Sequence, residues 1–410
     1  MFSVKKYTNI EVLVVLFFAV EYFREALLYF SPMVINLISL FISLLLIYSL
    51  QIKISKRVRV LLFLMFFFVF FALFKGLTIG FFDPKVLIYS FFKAIEYLSI
   101  VVTLSKIGKK TFYNILTLLI KVFIFINLLL LLYYFCALVG VLPSINRVVI
   151  FDYRFAGLSG EPAQFAQHCV LIIFSILLVN KYRLLKHPSI SISIVLFMTA
   201  LSFSNSIVLL SAFLFVYYLF FIGAISYAKK ILYFFILIPL GYFSIEEIFT
   251  RLTIDYDTIF MLFNNIGTLS DKPIYTYSEL TSSNSVTVRF FEFIYSLSLI
   301  NQLIGNGFGS TLSYARYAGY IPNDSFINMY GITQIGFELG LIPMFVFIIF
   351  LLYFIFIISV KFSTVSRLLI ASLFFMILVM NGIGFKFVWF FIFALLIHKE
   401  WFLKKGYHNI

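Results

Sequence analysis

From Thr111 to Val139 the chain carries a single charged residue, Lys121, and from Leu341 to Val360 it carries none. Segments this long and this apolar leave few folding options. A soluble domain cannot cover so much hydrocarbon. In a bilayer the backbone must satisfy its own N–H and C=O groups, which a helix does internally. A run of about 20 apolar residues therefore reads as a transmembrane helix. Such runs recur along the whole chain, so that 63% of the residues are apolar and 12% charged, against about 25% charged in soluble domains. The expected fold is an all-α polytopic membrane protein, a single integral membrane domain over residues 1–410.

Apolar runs separated by polar breaks predict twelve spans. They begin near Asn9, Met33, Val58, Val86, Thr111, Pro162, Ser189, Ser206, Lys230, Gln334, Arg367 and Gly384. In the 189–226 region only the SFSNS break at 202–206 divides one run from the next. The N-terminal stretch resembles a signal peptide but has no small-residue cleavage site, so it reads as a retained first span.

The net charge of +14 raises the question of nucleic acid. Its distribution answers that question. With the N-terminus inside, the inner segments hold 19 of the 31 basic residues and one acid, Glu400. Every second loop is basic, which is the positive-inside pattern. The excess charge thus reads as a topology signal. It places both termini in the cytoplasm and gives no reason to expect nucleic acid.

The outer side then has a medium loop at about 141–161 and a long loop at about 244–334. The long loop carries eight acids and four bases and includes amphipathic stretches that suit short helices at the membrane surface, RFFEFIYSLSLINQLIG from Arg289 among them. Of the inner bases 15 of 19 are lysine, whereas in the two outer loops five of six are arginine: Arg147, Arg154, Arg251, Arg289 and Arg316. Lysine suffices as a topological charge. Arginine adds a planar fork matched to phosphate or carboxylate. The outer arginines therefore read either as an anion site or as surface ion pairs with the neighbouring acids.

The medium loop ends in YRFAGLSGEPAQFAQH, residues 153–168. Pro162 suits the first turn of the next helix, Glu161 suits its cap, and Gly157 and Gly160 permit a sharp turn before it. Glu161, Gln164 and His168 share one helix face. This polar stripe fits a cap with interhelical hydrogen bonds, or the wall of an externally open cavity. In the long loop Gly305, Gly307 and Gly309 form a cluster that allows close backbone approach or a tight turn. Asn323-Asp324-Ser325 then precedes the tenth span. Asp324 fits a turn or helix cap, or a base if burial raises its pKa. Within the spans, Lys93 and Glu96 are spaced to pair on one helix face. Cys136 and Cys169 lie in apolar runs and read as core residues. The four histidines show no metal-binding spacing, and no metal or other cofactor is expected.

These features resemble the bacterial O-antigen polymerases of the Wzy type and the related O-antigen ligases. The residues that carry the likeness are Arg154, Gly157 and Glu161-Pro162 in the medium loop. In the long loop they are Arg289, Gly305, Gly307-Phe308-Gly309 and the Asn323-Asp324 turn, with Gly340-Leu341-Ile342 following. The resemblance covers most of the chain in architecture and some 15 residues in motif. Ligase-like members usually carry a histidine where this chain has Asp324, which favours a polymerase.

The resemblance implies an enzyme of the inner membrane acting at the periplasmic face. Such an enzyme transfers a growing glycan from undecaprenyl diphosphate to the non-reducing end of a new undecaprenyl-diphosphate-linked repeat. Donor and acceptor are then both lipid-linked oligosaccharides, the surroundings are membrane lipid, and a chain-length regulator is a possible further partner. It implies Arg154 and Arg289 as diphosphate clamps, with Arg316 or Arg147 assisting. Glu161 or Asp324 would activate the acceptor, with His168 as the third choice. Other readings are an O-antigen ligase or oligosaccharyl transferase, and a polysaccharide-unit flippase or secondary transporter. Carriers generally show two similar halves, and no such repeat is visible here.

Overall fold

The computed structural model describes residues 8–22, 32–50, 59, 74, 84–141, 150–151, 154–159, 162–202, 204–222, 331–356, 358–378 and 386–403. Within these residues the chain is predominantly helical. In chain order the helices are α1 (Asn9–Tyr22), α2 (Pro32–Ser49), α3 (Pro84–Lys106), α4 (Lys109–Leu138), α5 (Pro162–Asn180), α6 (Pro188–Leu201) and α7 (Asn205–Tyr217). After the long polar interval come α8 (Gly331–Leu339), α9 (Leu341–Phe356), α10 (Thr364–Leu378) and α11 (Lys386–Ile397). A small hairpin, β1 (Ile150–Phe151) and β2 (Arg154–Phe155), lies between α4 and α5.

Local chemistry explains where these helices begin and end. Proline opens α2, α3, α5 and α6, where its missing N–H would have been unpaired in any case. At α1 the Thr8 N–H donates to Glu11 Oε2 at 2.8 Å and the Glu11 N–H donates back to Thr8 Oγ1, a capping box. Two residues past the end of α4 stands Gly140, which has φ +76; its N–H donates to Ala137 O and that of Val141 to Cys136 O. Those two bonds close the last turn, and the positive φ is what favours glycine there.

Polar side chains inside the helices satisfy themselves locally. Ser43, Thr117, Ser175, Thr199 and Ser372 each donate to the carbonyl four residues earlier. The outward faces are apolar as well: Phe125 and Leu132 on α4 and Phe345, Val346 and Ile349 on α9 are all exposed. Apolar helices with apolar outer faces suit a membrane protein, because lipid replaces water as the outer solvent.

Ten of the twelve expected span starts fall within three residues of a helix start, and the break expected at 202–206 separates α6 from α7. The starts near Val58 and Lys230 lie outside the described residues. Length is more restrictive than position. Three stretches, Lys109–Leu138, Pro162–Asn180 and Leu341–Lys361, are long and apolar enough to cross a membrane. By contrast α11, with 12 residues, is about 18 Å long, short of a hydrocarbon core of about 30 Å.

Two packing clusters matter for the site. Helix α1 packs on α2, α4 and α11, and α5 packs on α4, α6, α7 and α10. Aromatic rings fill the junctions: Phe18 meets Phe387 and Phe390, and Phe112 meets Phe390, Trp401 and Phe402.

Candidate functional site

In β2 successive side chains take opposite faces, as a strand requires. Phe155 is fully buried and packs edge-on against Tyr134 of α4 and Phe165 of α5. Arg154, next to it, is half-buried and pairs across the hairpin with Phe151. Phe155 thus anchors the strand while Arg154 sits at the edge of the same structure.

The chain then turns through Ala156–Ser159, closed by the Ser159 N–H donating to Ala156 O. Gly157 has φ +57. A Cβ at this position would lie 2.5 Å from the Tyr22 hydroxyl, 2.8 Å from Phe165 and 2.9 Å from Asn127 Oδ1. Both the backbone conformation and the close approach of three helices require glycine here.

The Tyr22 hydroxyl is the hub of this contact. It donates to Asn127 Oδ1 at 2.5 Å and accepts from the Leu158 N–H at 3.5 Å. Asn127 in turn donates to Phe123 O in its own helix. The Tyr22 ring meets the edge of His168 with centroids 5.4 Å apart. His168 is buried, and its Nδ1 lies 2.9 Å from Gln164 O. A carbonyl only accepts, so Nδ1 carries the proton and the lone pair of the neutral ring is on Nε2. The adjacent Gln167 is buried, and its Oε1 has no hydrogen-bond partner among the described residues.

Beside this polar group lies a small, partly open apolar cleft walled by Phe18, Tyr22, Phe123, Ile126, His168 and Phe387. Four helices, α1, α4, α5 and α11, contribute to it. The cleft thus lies against the C-terminal half of α1, the middle of α4 and the N-terminal half of α5, with His168 in its wall, and the turn that follows the Arg154 hairpin reaches Tyr22 beside it.

Of the residues expected at the site, Gly157 and His168 both adjoin Tyr22, and Arg154 lies three residues before Gly157 in β2. The expected polar stripe is present in part: His168 bonds to the Gln164 backbone, and Gln164 itself is half-buried. Glu161, Arg147, Arg289, Arg316, Asp324, Gly305, Gly307 and Gly309 lie outside the described residues. Tyr22, Asn127 and Gln167 were missed at the sequence level. Asn127 looks like one polar residue in an apolar run and Tyr22 like one more side chain in a polar break after Val20, and only the Gly157 approach reveals their use.

A second buried polar group adds a partner from another helix. Glu96 pairs across helices with Lys386, and Ser39 Oγ donates to Glu96 and accepts from Lys386 Nζ. The expected partner on the same helix, Lys93, has its side chain outside the described residues. Packing of α11 on α3 delivers Lys386 to Glu96, a relation that spacing along α3 could not reveal. Among the described residues no group of three or more His, Cys, Asp or Glu side chains could hold a metal ion. Cys136 and Cys169 are free thiols, and Cys169 is buried.

No protein family, no curated protein and no solved structure matches this chain.

Proposed function

We propose that this protein polymerises lipid-linked oligosaccharide repeats at the outer face of a bacterial inner membrane. In this reading twelve spans place both termini in the cytoplasm and the medium and long loops in the periplasm. The acceptor hydroxyl of a new repeat attacks the anomeric carbon of the growing glycan. The bond to undecaprenyl diphosphate breaks, that diphosphate leaves with the bonding electrons, and the hydroxyl proton passes to a base. The requirements are cations for the departing diphosphate, a base near the acceptor, and an apolar surface for the lipid.

The observation that supports the reading is that His168 lines an apolar cleft beside Tyr22, whose hydroxyl also contacts the turn after the Arg154 hairpin. In this reading Arg154 serves as a cation for the diphosphate, His168 as a proton acceptor and the cleft as an apolar wall for the lipid. The outer arginines of the long loop, Arg289 and Arg316, would complete the anion contact from outside the described residues. Asp324 and Glu161 remain the alternative bases.

Deletion of the gene followed by electrophoresis of surface polysaccharide tests the proposal. Loss of the ladder with survival of a single capped repeat supports a polymerase. Loss of all capping would instead favour a ligase or a flippase.

A further inference from the structure

The hydroxyl of Tyr22 does more than fill a gap between helices. It sits at the C-terminal end of α1 and touches two other parts of the chain: Asn127 on α4 and the turn after the Arg154 hairpin. Its ring lies against His168 on α5. The turn's own closing bond, Ser159 to Ala156, fixes its shape but not its position. Position comes from Phe155 on one side and from the Tyr22 hydroxyl on the other.

We infer that Tyr22 and Asn127 are positioning residues of the outer site: through one hydroxyl they set the Gly157 turn, and with it Arg154, relative to His168. This rests on the proposal that Arg154 and His168 serve glycan transfer. The physical case is independent of that chemistry. Gly157 approaches so closely that a single added carbon would meet the hydroxyl, Phe165 and Asn127 at under 3 Å. A contact this tight transmits displacement, because packed interiors have no slack to absorb it. Asn127 holds the hydroxyl in turn, since its amide is tied to the Phe123 carbonyl and can present Oδ1 in one direction only. Tyr22→Phe removes the hydroxyl while keeping the ring that packs on Phe123 and His168. Asn127→Leu removes the acceptor at similar volume.

Two measurements test this, one with and one without activity. First, Arg154→Cys is placed in the full-length chain with Cys136 and Cys169 changed to alanine, and its labelling by a membrane-impermeant thiol reagent is timed in intact cells from which the outer membrane has been stripped. Adding Tyr22→Phe or Asn127→Leu is expected to change the labelling rate severalfold, and adding both is expected to change it no more than either alone. Unchanged rates in both variants overturn the inference whatever the protein's activity. Second, polymerisation of a purified lipid-linked repeat is followed with the Tyr22→Phe protein, normalised to monodisperse protein. We expect kcat to fall on the order of tenfold or more while KM stays within about twofold. An equal kcat overturns the positioning role if Arg154→Ala abolishes polymerisation. If Arg154→Ala and His168→Ala both polymerise normally while Tyr22→Phe alters labelling, the functional reading fails and the mechanical coupling stands.

Discussion

Lys386 Nζ lies 2.9 Å from Glu96 Oε1, in a pair whose side chains are 4% and 3% exposed. The ammonium also sits 4.5 Å from the centre of the Phe17 ring, so it is held by a carboxylate, a hydroxyl and an aromatic face. Glu96 is about ten residues from the end of α3, about 15 Å along the helix, which puts the pair deep among apolar helices. Charges at such depth persist when they are paired and hydrogen-bonded.

Removing one partner leaves the other charge buried alone. Glu96→Gln or Lys386→Met is expected to cost about 3–5 kcal/mol, whereas Glu96→Leu with Lys386→Met costs far less, since apolar residues of similar volume often replace a buried pair without penalty. Thermal unfolding in detergent reads this directly. Single variants should unfold at lower temperature and the double variant should recover. Additive losses would mean that the two side chains do not depend on one another.

Two glycines with the same sign of φ separate strain from crowding. Gly140→Ala meets nothing within 4 Å and should cost only the left-handed conformation, roughly 1–2 kcal/mol. Gly157→Ala adds a collision with Tyr22, Phe165 and Asn127, so its folded yield and thermal midpoint should fall well below those of Gly140→Ala. Equal losses from the two variants would refute the close packing at Gly157.

His168 combines a structural bond and a chemical group on one ring. Asn at this position keeps a donor near Nδ1 for the Gln164 carbonyl and loses Nε2. We expect His168→Asn to fold as well as the parent and to shorten the polysaccharide ladder in cells. Long ladders from the Asn variant would leave His168 a packing residue.

The arginines distinguish charge from geometry. At Arg154 and Arg289, lysine keeps the positive charge but loses the planar fork, so both Lys and Ala variants are expected to give short chains, with Ala the more severe. Polysaccharide length on a gel decides it. Normal chains from both substitutions at either position would remove that arginine from the diphosphate clamp.

Much of the helical framework was legible in the sequence. Proline at the openings of α2, α3, α5 and α6, and the apolar run of α4, are local signals that need no partner to be read. The need for glycine at 157 was legible too, as a turn, though not as the meeting point of three helices. The Lys386 partner of Glu96 was not legible, because the spacing rule sees only residues on the same helix. Arg154 and His168 were chosen for their chemistry. The docking of the Arg154 hairpin depends on Phe155 packing against Tyr134 of α4 and Phe165 of α5.

What the sequence determined by itself is where the chain becomes helical and apolar, since hydrophobic runs, proline and capping pairs act within a few residues. What only the tertiary structure decided is which buried polar atoms meet. Tyr22 finds Asn127 from 105 positions away, and Lys386 reaches Ser39 from 347 positions away. A helix that is apolar on every side carries no mark of which face will meet which neighbour. In such a chain the few polar atoms find partners through packing, and packing is a property of the whole.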